Sequence, residues 1–277
     1  GGNASTELGV PTCGAARHDN AREGGLNEEA NIIRAKFGYP KMSEAYYIQA
    51  AGEKNLTLFN NSRVTGVKMD GASIAAVDAV NTLTLAKSRV RGKLFIDCTG
   101  DGWVGYYAGA TYRFGRESRD EFGETAAPPK EDRITMSGCI MGNLSLSYRA
   151  ENMGHPVSYT PPEWALKLPP PEAFGRRPKG LGGQWWLEHP GDFDDLEDPE
   201  RARDELIRIS FAYWGWVKNA WEEKDKAQNF AMTYVPHVDA RRETRRLIGD
   251  TILKQQDCEA GTMFPDRISY GGWSLDV

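Results

Sequence analysis

Cysteine is scarce and scattered in this sequence. Its 277 residues carry four, Cys13, Cys98, Cys139 and Cys258, with no CxxC pair. Neither a disulfide framework nor a zinc site is expected from such spacing. The four histidines are equally dispersed, with no HxxxH and no His/Cys cluster, so no metal is expected. Positive charge is not in excess either. A formal net charge of -5 and a pI near 5.6 leave no electrostatic footprint for nucleic acid. No apolar run approaches the roughly 18 residues of a membrane helix, so no membrane span is expected. No leader is visible ahead of "GGNASTELGV", and there is no internal repeat. The expectation is a soluble protein whose compartment stays open.

What is present is the composition of a folded protein: 40% hydrophobic residues and 10% aromatics. The length holds one large domain or two modest ones. Residues 27–37 read as a short helix with acidic residues early, and 43–52 as a second, with Tyr46, Tyr47 and Ala50 on one face. The period then changes to two. Leu56/Leu58, Val64/Val67, Ile74/Val77, Leu83/Leu85 and Leu94/Ile96 mark successive strands, with Asp70-Gly71 as a hairpin turn. "WVGYYAGATYRFG" reads as a short helix followed by a loop. Residues 125–200 hold most of the 15 prolines and read as a surface excursion, with a possible strand in "TMSGCIMGNLSLSY". A long helix is expected from Asp198, a good N-cap before Pro199, to about Lys226. Leu206, Ser210, Tyr213, Trp214, Val217 and Trp221 recur along it at helical spacing. A last helix is expected to start near Asp239, in "DARRETRRLIGDTILKQQD".

The stretch most informative about chemistry is "GKLFIDCTGDGWVGYYAGA". Lys93–Cys98 suits a strand buried on both faces of a parallel sheet. Thr99-Gly100-Asp101-Gly102 then makes a tight turn, and a helix follows at once. Strand, glycine-rich turn and helix bring backbone N–H groups against a nucleotide. Asp101 could accept hydrogen bonds from ribose or ribityl hydroxyls, or simply cap the next helix in an ordinary turn.

Two polar clusters offer further candidates. His18, Arg22 and Glu23 stand in "ARHDNAREGG". His18 suits a proton acceptor near neutral pH, and Arg22 a clamp for a carboxylate or for developing negative charge. Equally, Arg22 and Glu23 could cap the next helix from a solvated loop. Arg242, Glu243, Arg245 and Arg246 cannot all face one way on a helix. They form either an ion network with a neighbouring element or the anion-binding edge of a substrate pocket. Trp185-Trp186, Trp214, Trp216 and Trp221 could build a stacking platform for sugar rings, which would make the second half a carbohydrate-binding or non-catalytic interaction module. The seven-residue spacing of Trp214 and Trp221 argues instead for core packing.

Taken in order, "GGNAS", "REGGLNEE", "FIDCTGDGWVGYYAGATYRFGRE" with "EFGE", "QWWLEHPGDFDDLEDPERARDELIRISFAYWGWVKN" and "RRETRRLIGDTILKQQD" resemble a bacterial family of FAD-dependent oxidoreductases. The resemblance runs across nearly the whole chain. It implies an α/β, partly α+β, fold: a Rossmann-like FAD-binding domain with a β-rich segment and an inserted helical or mixed substrate domain. The corresponding division is 1–124 for the FAD-binding part, 125–238 for the substrate domain with its long helix 198–226, and 239–277 for a return toward the FAD domain. The implied activity is hydride transfer from a small organic substrate to FAD, with an electron acceptor left unspecified. Such proteins usually begin with a strand, GxGxxG and a second strand ending in an acidic residue, followed by the paired glycine. None of these precedes Gly1, and the family's final stretch is also absent, so a fragment truncated at both ends is expected. By the resemblance, Gly1, Gly2, Asn3, Ala4 and Ser5 are the small-residue loop beside the cofactor. Val64 lies in a strand whose counterpart meets adenine through its backbone. Cys98, Thr99, Gly100 and Asp101 form the second flavin-contacting turn, with Cys98 packed rather than reactive. His18, Arg22 and Arg242 are the catalytic candidates.

Overall fold

A computed structural model describes residues 2, 25–38, 42–135, 139–140, 148–168, 181, 187, 194–235, 238–241 and 243–268. Along the chain these form helices α1 (Leu26–Phe37) and α2 (Met42–Gly52), then strands β1 (Ser62–Asp70), β2 (Ser73–Asn81) and β3 (Lys87–Arg91). Helix α3 (Trp103–Tyr107), strand β4 (Tyr112–Arg113), helix α4 (Arg119–Phe122) and strands β5 (Cys139–Ile140) and β6 (Arg149–Asn152) follow. The long helix α5 (Pro199–Asn219) precedes β7 (Phe230–Tyr234), β8 (Asp239–Ala240), β9 (Arg246–Leu247) and helix α6 (Gln255–Ala260). The described residues divide into two compact units, one built on 134–243 and the other on 25–37, 44–133 and 244–268.

The unit built on 134–243 has its core along α5. Asp198 caps the helix, its carboxylate accepting from the Arg201 N–H at 3.3 Å, and Pro199 takes the first turn, where no N–H is needed. The apolar stripe then buries Leu206, Tyr213, Trp214 and Val217. Trp214 is only 1% exposed and meets the ring of Tyr148 edge-on, 5.2 Å between centroids. Trp216, Trp221, Phe230 and Met232 pack around this cluster. These tryptophans are therefore core residues and not a stacking platform; Trp185-Trp186 lie outside the described residues.

Helix α5 ends at Asn219, seven residues before the expected Lys226. The Lys218 ammonium gives its protons to the carbonyls of Ala227, Gln228 and Phe230 at 2.7, 2.9 and 3.0 Å. This folds the chain back through a single 3-10 turn, Lys224–Ala227, into β7. Burial lowers the Lys218 pKa, and the three carbonyls supply the partners its charged form needs.

In the other unit, β1, β2 and β3 form an antiparallel meander. Its register places Val64 opposite Ala79, Val67 opposite Val77 and Met69 opposite Ile74. Gly71 takes the positive φ (57°) that the tight Asp70-Gly71 turn requires. Helix α3 packs against β1. Helices α1 and α2 bury Ala30 and Ala45 respectively and are joined by Gln49, which donates to the Leu26 carbonyl and to Glu29 at 3.1 Å each.

Four sequence expectations are corrected. Leu56 and Leu58 lie before β1, exposed and outside any strand. Leu83 and Leu85 belong to the β2–β3 turn. The Asn81 side chain accepts from the Leu83 and Thr84 N–H groups at 3.0 Å, a local Asx turn that outcompetes the apolar alternation. Lys93–Cys98 is not a strand buried in a parallel sheet: every sheet among the described residues is antiparallel, and Leu94 and Ile96 are 90% and 88% exposed. A doubly buried strand needs neighbours on both edges, and among the described residues none runs beside this one. The helix expected from Asp239 is instead extended chain. Asp239–Ala240 pairs with Cys139–Ile140, Arg246–Leu247 pairs with Tyr112–Arg113, and helix returns only at Gln255. Of the strand expected in "TMSGCIMGNLSLSY", Cys139–Ile140 is a two-residue strand; most of the remainder lies outside the described residues. Among the described residues no helix is long and apolar enough to cross a membrane.

Candidate functional site

The turn between Asp97 and Trp103 is organised by its own side chains. Asp97 accepts from the Thr99 N–H at 3.0 Å, the Thr99 hydroxyl at 2.7 Å and the Gly105 N–H at 3.1 Å. Thr99 Oγ1 in turn accepts from the Trp103 N–H at 2.9 Å. Asp97 and Thr99 thus satisfy first-turn donors of α3, so the helix start offers no vacant anion site. Burial pushes the Asp97 carboxyl upward, and the hydrogen bonds from the Thr99 side chain and from the Gly105, Thr99 and Val104 N–H groups more than offset it, holding the group below its usual range. A group depressed in the folded state contributes stability above its unfolded pKa and loses it as pH falls through the folded value. We therefore expect an acid-sensitive component of stability appearing below about pH 4, the unfolded carboxylate value. Melting temperatures recorded from neutral pH downward should fall less steeply for Asp97→Asn than for the wild type. Parallel curves would refute this.

Asp101 is not the cap of α3, whose N-cap is Gly102. Its side chain is buried, with Oδ1 accepting from Thr244 Oγ1 at 3.1 Å and Oδ2 from Trp103 Nε1 at 3.3 Å. Its backbone carbonyl accepts from Arg245 at 3.2 Å. The Arg245 guanidinium lies 4.2 Å from the Trp103 ring centroid and 4.0 Å from that of Tyr106, with Tyr112 at 5.7 Å. Arg63, at the start of β1, approaches the Trp103 ring from 5.6 Å, which ties the Val64 stretch to α3. Val64 itself is half-buried in β1.

A spacing that the sequence reading passed over is explained here. Gly100, Gly102 and Gly105 stand as G-x-G-x-x-G. Gly102 has φ 65° and a side chain there would meet Leu247 at 3.3 Å; one at Gly105 would lie 2.5 Å from Leu247 Cδ1. Those two glycines make room for β9. Gly100 differs: it has φ 87°, and no described residue lies within 4 Å of where its Cβ would be. Its bare backbone is clear of the described residues. Cys98 beside it is an exposed free thiol, contrary to the expected packing role.

Next to this turn, β4, α4 and β9 carry an ion network around a cleft of about 330 Å³. Arg246 bonds Glu117 at 2.8 Å and the Gly115 carbonyl at 2.6 Å, while Arg113 pairs with Glu117 at 3.4 Å and with Glu121. Arg116 and Asp132 pair through side chains and through reciprocal backbone bonds of 3.1 Å. Burial raises the Glu117 carboxyl, but the Arg246 hydrogen bond and the charges of Arg246 and Arg113 bring it below its usual value. Arg246 is thus part of the ion network that the sequence offered as one of its two readings. Among the described residues no group of three or more His, Cys, Asp or Glu could hold a metal.

The structure brings Thr99, Gly100 and Asp101 together with Arg245, and places Cys98 at the same turn. Gly2 is exposed with φ 71°. Gly1, Asn3, Ala4, Ser5, His18, Arg22, Glu23 and Arg242 lie outside the described residues. Asp97, Thr244 and Leu247 were missed by sequence reading. For Asp97 a signal existed in the Asp-x-Thr spacing before a helix; for the other two, none did. A family model described as FAD dependent oxidoreductase matches residues 1–277. No curated protein matches the chain, and no solved structure does.

Proposed function

Because the chain belongs to the FAD-dependent oxidoreductase family, whose cofactor is FAD, we propose that it oxidises a small organic substrate at the flavin and passes the electrons to a separate acceptor. The match across all 277 residues carries this reading. Bound FAD supplies the two-electron chemistry; the chain supplies position, charge and proton transfer. The residues of the 98–102 turn fit one edge of such a group. Gly100 offers backbone clear of the described residues, where a side chain would obstruct a flat ring or a ribityl chain. With Asp97 and Asp101 both close by, the turn suits a neutral part of the cofactor better than its pyrophosphate.

In this reading Cys98, Thr99 and Gly100 line the flavin edge, Asp101 fixes the turn, and Val64 serves the adenine end. Gly1, Gly2, Asn3, Ala4 and Ser5 would be the small-residue loop beside the cofactor. His18 would accept the substrate proton, with Arg22 and Arg242 binding negative charge. Residues 125–238 would form the substrate domain inserted into a Rossmann-like FAD-binding domain.

The test is direct. The purified protein should show the flavin visible spectrum and release FAD on denaturation. Gly100→Asn should weaken FAD binding by about tenfold or more, since Asn tolerates positive φ yet puts bulk where the cofactor edge would lie. A colourless protein that does not take up added FAD would overturn the activity. Unchanged affinity in Gly100→Asn would overturn the placement.

A further inference from the structure

The segment Thr244–Leu247 grips the 99–102 turn from three sides. Thr244 Oγ1 donates to Asp101 Oδ1 and Arg245 donates to the Asp101 carbonyl, across 143 and 144 residues of sequence. The Arg245 guanidinium is held against the rings of Trp103, the first residue of α3, and Tyr106, one turn further on. Leu247 fills the room left by Gly102 and Gly105. Both polar groups of Asp101 are thereby fixed from outside the turn, while the adjoining Gly100 backbone is left clear of the described residues.

We propose that Thr244 and Arg245 are positioning residues for the flavin-facing turn: they act through Asp101 to hold the Thr99–Gly100 backbone in the orientation that the cofactor meets. The proposal rests on the reading that this turn lines the flavin. Its physical basis is the cost of taking one donor from a buried, hydrogen-bonded carboxylate. Without the Thr244 hydroxyl, Asp101 loses one of the bonds that fix it, and the turn it anchors is held less tightly. Preorganisation is lost where it matters for binding, although Thr244 itself touches no cofactor.

The measurement compares full-length wild type, Thr244→Val, Thr244→Ser and Gly100→Asn. FAD affinity is read by flavin fluorescence on the apoprotein, with the midpoint potential of the bound flavin and the apoprotein melting temperature alongside. Thr244→Val keeps the shape and loses the donor; its FAD affinity should fall about tenfold, the worth of one hydrogen bond to a charged group, and its flavin potential should shift. Thr244→Ser should return affinity to within about twofold of wild type. A Thr244→Val variant that melts earlier but binds FAD with wild-type affinity and potential would make the contact merely structural. Failure of Thr244→Ser to restore binding would also overturn the positioning role. If Gly100→Asn weakens binding and Thr244→Val does not, the positioning role alone fails. If Gly100→Asn binds FAD as wild type does, the flavin-facing reading fails first.

Discussion

Replacing Gly115 by Ala is expected to lower stability by about 2–6 kcal/mol, the sum of a left-handed backbone strain and an overpacking cost. Gly115 has φ 86°, and an added Cβ would fall on the Asp132 carbonyl oxygen and lie 2.6 Å from Arg133 Cα. Those are backbone atoms, so no side-chain rotation can relieve the contact. The Arg116–Asp132 bridge would have to open, and the Gly115 carbonyl would move away from Arg246. The damage would therefore spread into the pairs of Arg246 and Arg113 with Glu117. Urea unfolding would give the total loss, and hydrogen exchange would show lost protection at the Arg116 and Asp132 amides. A change under about 0.5 kcal/mol, the ordinary surface value, would mean that the bridge is not part of the folded protein.

Trp214→Ala should cost about 3–5 kcal/mol, the usual consequence of deleting a fully buried indole. The ring contacts Tyr148 edge-on and lies under Tyr159, at 6.4 Å between centroids, and the Lys218 ammonium sits 5.9 Å from it. Helix α5 cannot close the cavity by sliding, because Gly215 is already seated against the Pro161 ring. Loss of protection should concentrate in α5 and in the β6–β7 pair, leaving the β1–β3 meander unaffected. Trp214→Phe should recover part of the loss. A Trp214→Ala variant that unfolds at the wild-type urea concentration but no longer binds a glycan would restore the stacking-platform reading.

The elements legible in the sequence share one property: the interactions that specify them span only a few residues. The Asp70-Gly71 turn needs a positive φ at a single position, and α5 starts where an Asp side chain can reach the backbone three residues on. The alternating valines of β1 and β2 needed only a partner reached through a two-residue turn. Family membership was legible as well, through motifs kept in order along the chain, and the family match bears it out. Misread elements depended on partners far away or nearby but polar. Leu83 and Leu85 alternate like a strand, yet Asn81 curls them into a turn. "RRETRR" is charged enough for an exposed helix, but extended chain lets Thr244 reach Asp101, Arg245 reach the Trp103 and Tyr106 rings, and Arg246 reach Glu117. The sequence alone determined that a glycine-rich turn stands ahead of a helix in an FAD-dependent oxidoreductase. Only the tertiary structure decided which of its polar groups are already used: Asp101 is bound by a residue 143 positions away, and no local rule reports a hydrogen bond across that distance.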